Sequence, residues 1–302
     1  MARASKRTVA VTAALLRGWQ VPQPGSAADK DDRGVALVIG GAAEIPGALL
    51  LSGVAALRVG AGKLQLAAPQ STASSLGVAL PEARVFALPE SGDGFLDRKS
   101  GAKAAYDAQG ADAILVGPGM LNEDAIRGFM DELIRRVTDK PIVIDALALS
   151  ALRGERYRFT EETRVILTPN TAEMAQITDD KKETVEADPR GVAMTVAKDL
   201  NAVVALKGAE TFIATPDGEV FRYTEGDVGL ATSGSGDVLA GVIVGFLARG
   251  ATLDQAAVWG VYLHGAAGNR LKRRIGPIGF LARELSDEIA PLMNALGGKR
   301  SR

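Results

Sequence analysis

Short runs of Val, Ile, Leu and Ala alternate along this chain with longer stretches whose apolar positions recur at helical spacing. That is the pattern of βα units wound around a mostly parallel sheet. The runs at 35–39, 64–68, 84–87, 113–116, 142–145, 165–167 and 202–206 predict strands. They are apolar nearly throughout, as strands covered on both faces must be. Helical spacing predicts helices at 47–59, 124–137, 189–201, 237–249, 253–271 and 279–293, with Asp188 placed to cap the third. The runs at 211–214 and 220–223 flank Pro216-Asp217-Gly218, a turn tripeptide, and predict a hairpin. The fold class expected is α/β, a mostly parallel central sheet with an antiparallel edge.

The charged stretches 27–33 and 178–186 read as surface loops, and 297–302 as a frayed tail. The basic residues 1–7 followed by the apolar stretch 8–16 superficially resemble a signal peptide. Thr8 and Thr12 interrupt that stretch and Arg17-Gly18-Trp19 ends it, so a short amphipathic helix before the loop at 22–32 is the reading adopted. No apolar run reaches the roughly 18 residues of a membrane-crossing helix. A cytoplasmic protein is expected, with an N-terminal extension at 1–33, one domain at 34–296 and a tail at 297–302.

Composition narrows the chemistry. With 35 Lys and Arg against 36 Asp and Glu, the net charge of -1 offers no basic field for nucleic acid. The chain has no cysteine and one histidine, which excludes thiolate zinc sites, cysteine nucleophiles and clusters of histidine ligands. Chemistry must come from carboxylates, lysine and backbone groups. There are 35 glycines in 302 residues, well above the about 7 % of average proteins.

Many of these glycines stand at predicted strand ends. Thr232-Ser233-Gly234-Ser235-Gly236-Asp237 runs straight into a helix. A glycine turn there bares the N–H groups of the first helical turn, where the helix dipole favours a phosphate or a developing oxyanion. Asp237 beside such a site is a base, a holder of a hydroxyl or metal, or simply the helix N-cap. Val203 to Leu206 leads into Lys207-Gly208-Ala209-Glu210-Thr211, which puts Lys207 at the carboxyl end of a strand, where ligands of open α/β sheets bind. Gly40-Gly41, Gly117-Pro118-Gly119, Ile144-Asp145 and Thr168-Pro169-Asn170 mark further strand ends, with Glu173 capping the next helix or facing the cleft. Gly53, Gly60 and Gly62 read as packing residues, and His264, in a run of small residues, as a satisfied buried side chain rather than a base.

In order, these motifs resemble the ADP-dependent NAD(P)H-hydrate dehydratase family of the ribokinase-like superfamily. The resemblance runs from about Gly34 to Pro291 through Gly40-Gly41, Ile45-Pro46-Gly47-Ala48, the stretch 55–62, Gly117-Pro118-Gly119, Leu167-Thr168-Pro169, Lys207 to Thr211 and Gly229 to Gly241. It implies a three-layer α/β/α sandwich and dehydration of the S-epimer of hydrated NADH or NADPH, driven by ADP with Mg²⁺. It further implies Asp237 as catalytic base and Gly234, Ser235 and Gly236 as the anion hole. Lys207, Gly208, Ala209, Glu210, Thr211 and Gly236 would contact the AMP part of the nucleotide, and Ala48, Gly119, Asn170 and Asp237 the hydrated dinucleotide. No dedicated protein metal cage is visible.

Two positions depart from the family pattern. Asn170 stands where a histidine is usual, and its amide can still reach a phosphate or ribose. Asp227 stands where Asn is common, an extra carboxylate that would weaken anion binding or bind a cation. The resemblance also implies a homo-oligomer, commonly a tetramer, acting with a separate epimerase. An ATP-dependent kinase of a sugar, vitamin or other small alcohol on the same fold is the rival reading, because the glycine turn is common to both.

Overall fold

The computed structural model describes residues 8–297 except 26, 28, 155 and 156; the basic segment 1–7 and the tail from 298 lie outside the described residues. One ten-stranded sheet organises the chain. Its strands are β1 (Val9–Ala10), β2 (Val35–Ile39), β3 (Lys63–Pro69), β4 (Ala83–Leu88), β5 (Ala113–Val116), β6 (Ile142–Ile144), β7 (Val165–Leu167), β8 (Val203–Leu206), β9 (Thr211–Ala214) and β10 (Val220–Tyr223). The spatial order is β1-β10-β9-β8-β7-β6-β5-β2-β3-β4. From β8 through to β4 all neighbours are parallel, while the β9–β10 hairpin adds the antiparallel edge.

The helices are α1 (Ala13–Gly18), α2 (Gly47–Arg58), α3 (Gln70–Ala79), α4 (Arg98–Asp107), α5 (Glu123–Arg136), α6 (Thr171–Thr178), α7 (Lys182–Ala187), α8 (Pro189–Leu200), α9 (Ser235–Ala248), α10 (Leu253–Arg274) and α11 (Ala282–Leu296). They cover both faces of the sheet. Alternation along β2 shows how: Ala36 and Val38 enter the core under α2, α9 and α10, whereas Leu37 and Ile39 enter the core under α4, α5 and α8. Burial on both faces explains why the strand reads as a continuous apolar run.

Three features were not expected from the pattern. Val9–Ala10 pairs with β10, and Leu16 and Val21 join the main core. Helices α3 and α4 fill stretches with little helical periodicity. The charged stretch at 178–186, expected as a loop, contains most of α7, whose Val185 is fully buried. Asp188 does cap α8, accepting from the Gly191 N–H at 2.9 Å.

Helix α9 is buried along almost its whole length and lies against α2. Glycine permits that approach: a Cβ at Gly241 would fall 2.2 Å from the Ser52 carbonyl oxygen, and one at Gly245 2.8 Å from that of Ala56. The helix consequently points its N-terminus at the carboxyl rim of the sheet.

Candidate active site

The chain order reverses between β2 and β5, and a crevice at the strand carboxyl ends opens at such a switch point. Here Gly40-Gly41 meets Gly117-Pro118-Gly119, with the Gly41 N–H donating to the Pro118 carbonyl at 2.7 Å. Gly119, at φ 66°, packs so closely that an added Cβ would lie 2.9 Å from the Ala48 Cβ. Further along the same rim is a cavity of about 810 Å³, walled by the ends of β6 to β10, the start of α9 and His264 of α10.

Asp145 is the most buried charge of this cavity, 2 % exposed. Its Oδ1 accepts from Thr168 Oγ1 at 2.6 Å and from Lys207 Nζ at 3.1 Å. Its backbone is pressed onto β5: a Cβ at Gly117 would meet the Asp145 carbonyl oxygen at 1.8 Å, and Gly117 adopts φ 122°. Lys207 continues β8 by an isolated parallel bridge to Asn170, and its Nζ also lies 3.9 Å from Glu173 Oε2. Burial pulls the Lys207 pKa down, but Asp145 and Glu173 outweigh it and hold it above the ordinary lysine value. Glu173 caps its own helix, accepting from the Asn170 N–H at 2.7 Å, and also faces the cavity, so both expectations for it hold. Burial raises its pKa against the pull of Lys207. Asn170 lines the cavity, and its Oδ1 is taken by the N–H groups of Ala172 and Glu173, which leaves the amide nitrogen without a partner among the described residues.

The glycine turn removes one alternative for Asp237. The N-cap of α9 is Gly234 at φ 85°, so Asp237 is the third helical residue and not the cap. No hydrogen bond to its carboxylate is found among the described residues, and only burial and neighbouring charges act on it. Burial, reinforced by Asp145 and opposed by Lys207, pushes its pKa up to about 7. The N–H groups of Gly234, Gly236 and Asp237 find no acceptor among the described residues, whereas the Ser235 N–H donates to the Thr232 carbonyl at 3.2 Å. A Cβ at Gly236 would stand 3.4 Å from Lys207 Nζ. Bare donors, a lysine and a proton-poised carboxylate thus share one small volume.

Of the residues singled out from the sequence, Asn170, Lys207, Gly208, Ala209, Thr211, Gly234, Ser235, Gly236 and Asp237 line this cavity. Glu210 pairs with Arg222 at the surface, and Ala48 and Gly119 lie at the neighbouring crevice. Asp227, the extra carboxylate, is matched by Lys272 and by the Gly229 N–H at 3.0 Å, which hold its pKa below the usual value. In the sequence Asp145 and Thr168 stand in two separate strand-end motifs, and nothing there links the two side chains. Their proximity follows from the β6–β7 pairing, which no single segment reveals.

For Mg²⁺ the donor set is sparse but suitable. No group of three or more acidic or histidine side chains forms a cage among the described residues. Mg²⁺ is ordinarily held by one or two carboxylates together with substrate phosphates and water. Glu173, a carboxylate that lines the cavity beside Lys207, fits that role.

Comparison with known proteins gives the family. The profile described as NAD(P)H-hydrate dehydratase matches residues 36–291. The chain is 45% identical over 294 residues to an ADP-dependent (S)-NAD(P)H-hydrate dehydratase of Xanthomonas campestris, covering 96% of this chain and 98% of that one. It superposes on the ADP/ATP-dependent NAD(P)H-hydrate dehydratase of Bacillus subtilis, co-crystallized with ATP and Mg²⁺, with a TM-score of 0.83, 30% identity and coverage of 96% and 99%. A ribokinase-like protein of Enterococcus faecalis shares the fold at a TM-score of 0.82 and 24% identity, covering 98% of each chain. Matched over most of its length, the chain belongs to the NAD(P)H-hydrate dehydratase family.

Proposed function

We propose that this chain is an ADP-dependent (S)-NAD(P)H-hydrate dehydratase, in which Asp237 is the base and the start of α9 the phosphoryl site. The observation that carries the assignment of residues is Asp237 itself: a carboxylate with a pKa of about 7, beside the unpaired N–H groups of Gly234, Gly236 and its own residue. Asp237 takes the proton of the C6 hydroxyl of the hydrated nicotinamide as that oxygen attacks the β-phosphorus of ADP. A new C–O–P linkage forms, the bond to AMP breaks, and AMP leaves with the electron pair. Phosphate then leaves C6 with its bonding electrons, a proton is lost from the adjacent ring carbon, and the dihydronicotinamide is restored. A hydroxide-like leaving group has been replaced by phosphate.

The N–H groups at the head of α9 face the equatorial oxygens of the transferring group, where preorganised donors stabilise charge without reorganising. Lys207, steadied by Asp145, adds a positive charge beside them. Gly208, Ala209 and Thr211 line the part of the cavity next to Lys207 and are assigned to the AMP moiety, with Glu210 behind them at the surface. The dinucleotide is assigned to the crevice of Ala48 and Gly119, with Asn170 reaching from the cavity side. Mg²⁺, held through Glu173 and the phosphates, would supply charge neutralisation.

Among the described residues no helix is long and apolar enough to cross a membrane, and a cytoplasmic location is part of the reading. So is a homotetramer that works alongside an epimerase. The exposed Val228, Ile275, Ile278 and Leu281 supply apolar surface for an oligomer. Gly241 and Gly245 of α9 do not, since α2 already occupies them. Incubation with hydrated NADH, ADP and Mg²⁺, followed by absorbance of the reduced nicotinamide, tests the reading. A kinase would instead leave a stable phosphorylated alcohol.

A further inference from the structure

The mechanism above leaves the chain's only histidine without a task. His264 lies on α10 against the first turn of α9, and its Nε2 stands 2.8 Å from Ser235 Oγ and 3.0 Å from the Ser235 carbonyl oxygen. A carbonyl oxygen can only accept, so the nitrogen facing it carries the hydrogen. The opposite tautomer would set two lone pairs against each other at 3.0 Å. With Nε2 as donor, the nearby Ser235 Oγ also faces an N–H and can only accept from it. The serine's own hydroxyl hydrogen is then left over.

That hydrogen has few directions open to it. Ser235 is 3 % exposed, its N–H is committed to the Thr232 carbonyl, and its hydroxyl has no other partner among the described residues. It lines the cavity between Gly234 and Gly236, at the place assigned to the phosphoryl group. We propose that the Ser235 hydroxyl donates to the transferring phosphoryl group, and that His264, fixed as the Nε2–H tautomer, is the positioning residue that turns it there. Burial and the nearby Lys207 push the His264 pKa down to about 4, so the imidazole stays neutral, with a single N–H to place, across the working range. The anion hole is thus completed by a side chain at the one position where the backbone donor is already spent.

The inference rests on the dehydratase reading and sharpens it. Ser235→Ala, His264→Leu, His264→Gln and the Ser235→Ala/His264→Leu pair are compared with the wild type for kcat and for KM of ADP and of hydrated NADH. Ser235→Ala lowers kcat by about 10²-fold, the usual effect of removing one such donor, with both KM values within about threefold. His264→Leu does the same, and His264→Gln, whose amide can place an N–H near the same point, recovers most of the loss. The double variant is no worse than Ser235→Ala alone, because residues acting as one unit are not additive. Nitrogen NMR of the single imidazole, on the ligand-free protein near neutral pH, shows Nε2 protonated and Nδ1 bare. A wild-type rate retained in Ser235→Ala, additive losses in the double variant, or an Nδ1–H imidazole each overturn the proposal. Wild-type turnover decides the dehydratase reading separately, while the tautomer supports or overturns the Ser235 assignment whatever turnover shows.

Discussion

Lys207 Nζ lies 3.1 Å from Asp145 Oδ1, and the same carboxylate that steadies this lysine works against the charge of Asp237. Holding the cation and discouraging ionisation of the base are two effects of one buried side chain. The pH dependence separates them. Asp145→Asn removes a negative neighbour, so the Asp237 pKa falls and the acidic limb of kcat/KM moves to lower pH. Lys207→Met removes the opposing cation and moves the limb upward. A profile over about pH 5 to 9 reads both shifts, and movement in the same direction for the two variants would contradict the assignment.

Asp237→Asn removes the base and lowers kcat by about 10²- to 10⁴-fold, measured as ADP-dependent recovery of reduced nicotinamide. Its effect on stability has the opposite sign. The folded chain holds the Asp237 pKa at about 7, above the ordinary 3.8. The group therefore favours folding below its unfolded pKa, and that contribution is lost as pH rises through about 7. At alkaline pH the Asn variant melts higher than the wild type, whereas in acid the difference disappears. Thermal melts at the two pH values check this.

The approach of α9 to α2 depends on glycine. Gly241→Ala puts a methyl group 2.2 Å from the Ser52 carbonyl oxygen, so the helices must separate. Overpacking of this kind costs about 1–3 kcal/mol, read as a lower midpoint in denaturant. Because the displaced helix carries the phosphoryl site at its head, kcat falls as well.

Asp227 is tolerated because Lys272 answers its charge. Asp227→Asn accordingly leaves KM for ADP within about twofold, while Lys272→Met exposes an uncompensated carboxylate at the cavity wall and raises it further. The comparison of the two KM values is the test.

What the sequence made legible follows from what each element owes to local pattern. Strands at 35–39, 113–116 and 165–167 and the hairpin at 211–223 stand where apolar runs and the Pro216-Asp217-Gly218 turn place them. Helix α3, Gln70–Ala79, is rich in Ser and Ala, and α4, Arg98–Asp107, is set mainly by the Asp97–Ser100 capping box rather than by an apolar stripe. β1 has two residues and exists only because β10 is there to pair with it. At the site, the glycine turn and Lys207 are local signals. The Thr168–Asp145–Lys207 chain is not, since its members come from the ends of three adjacent strands. Likewise Ser235 and His264 meet across two helices 29 residues apart.

The central claim is that the head of α9 and Asp237 serve a phosphorylation that ends in elimination. The most direct measurement incubates the protein with hydrated NADH, ADP and Mg²⁺ and follows reduced-nicotinamide absorbance together with AMP and phosphate. The account predicts that NADH, AMP and phosphate appear in equal amounts, and that Asp237→Asn slows all three together. Accumulation of a phosphorylated alcohol with no return of NADH would contradict it.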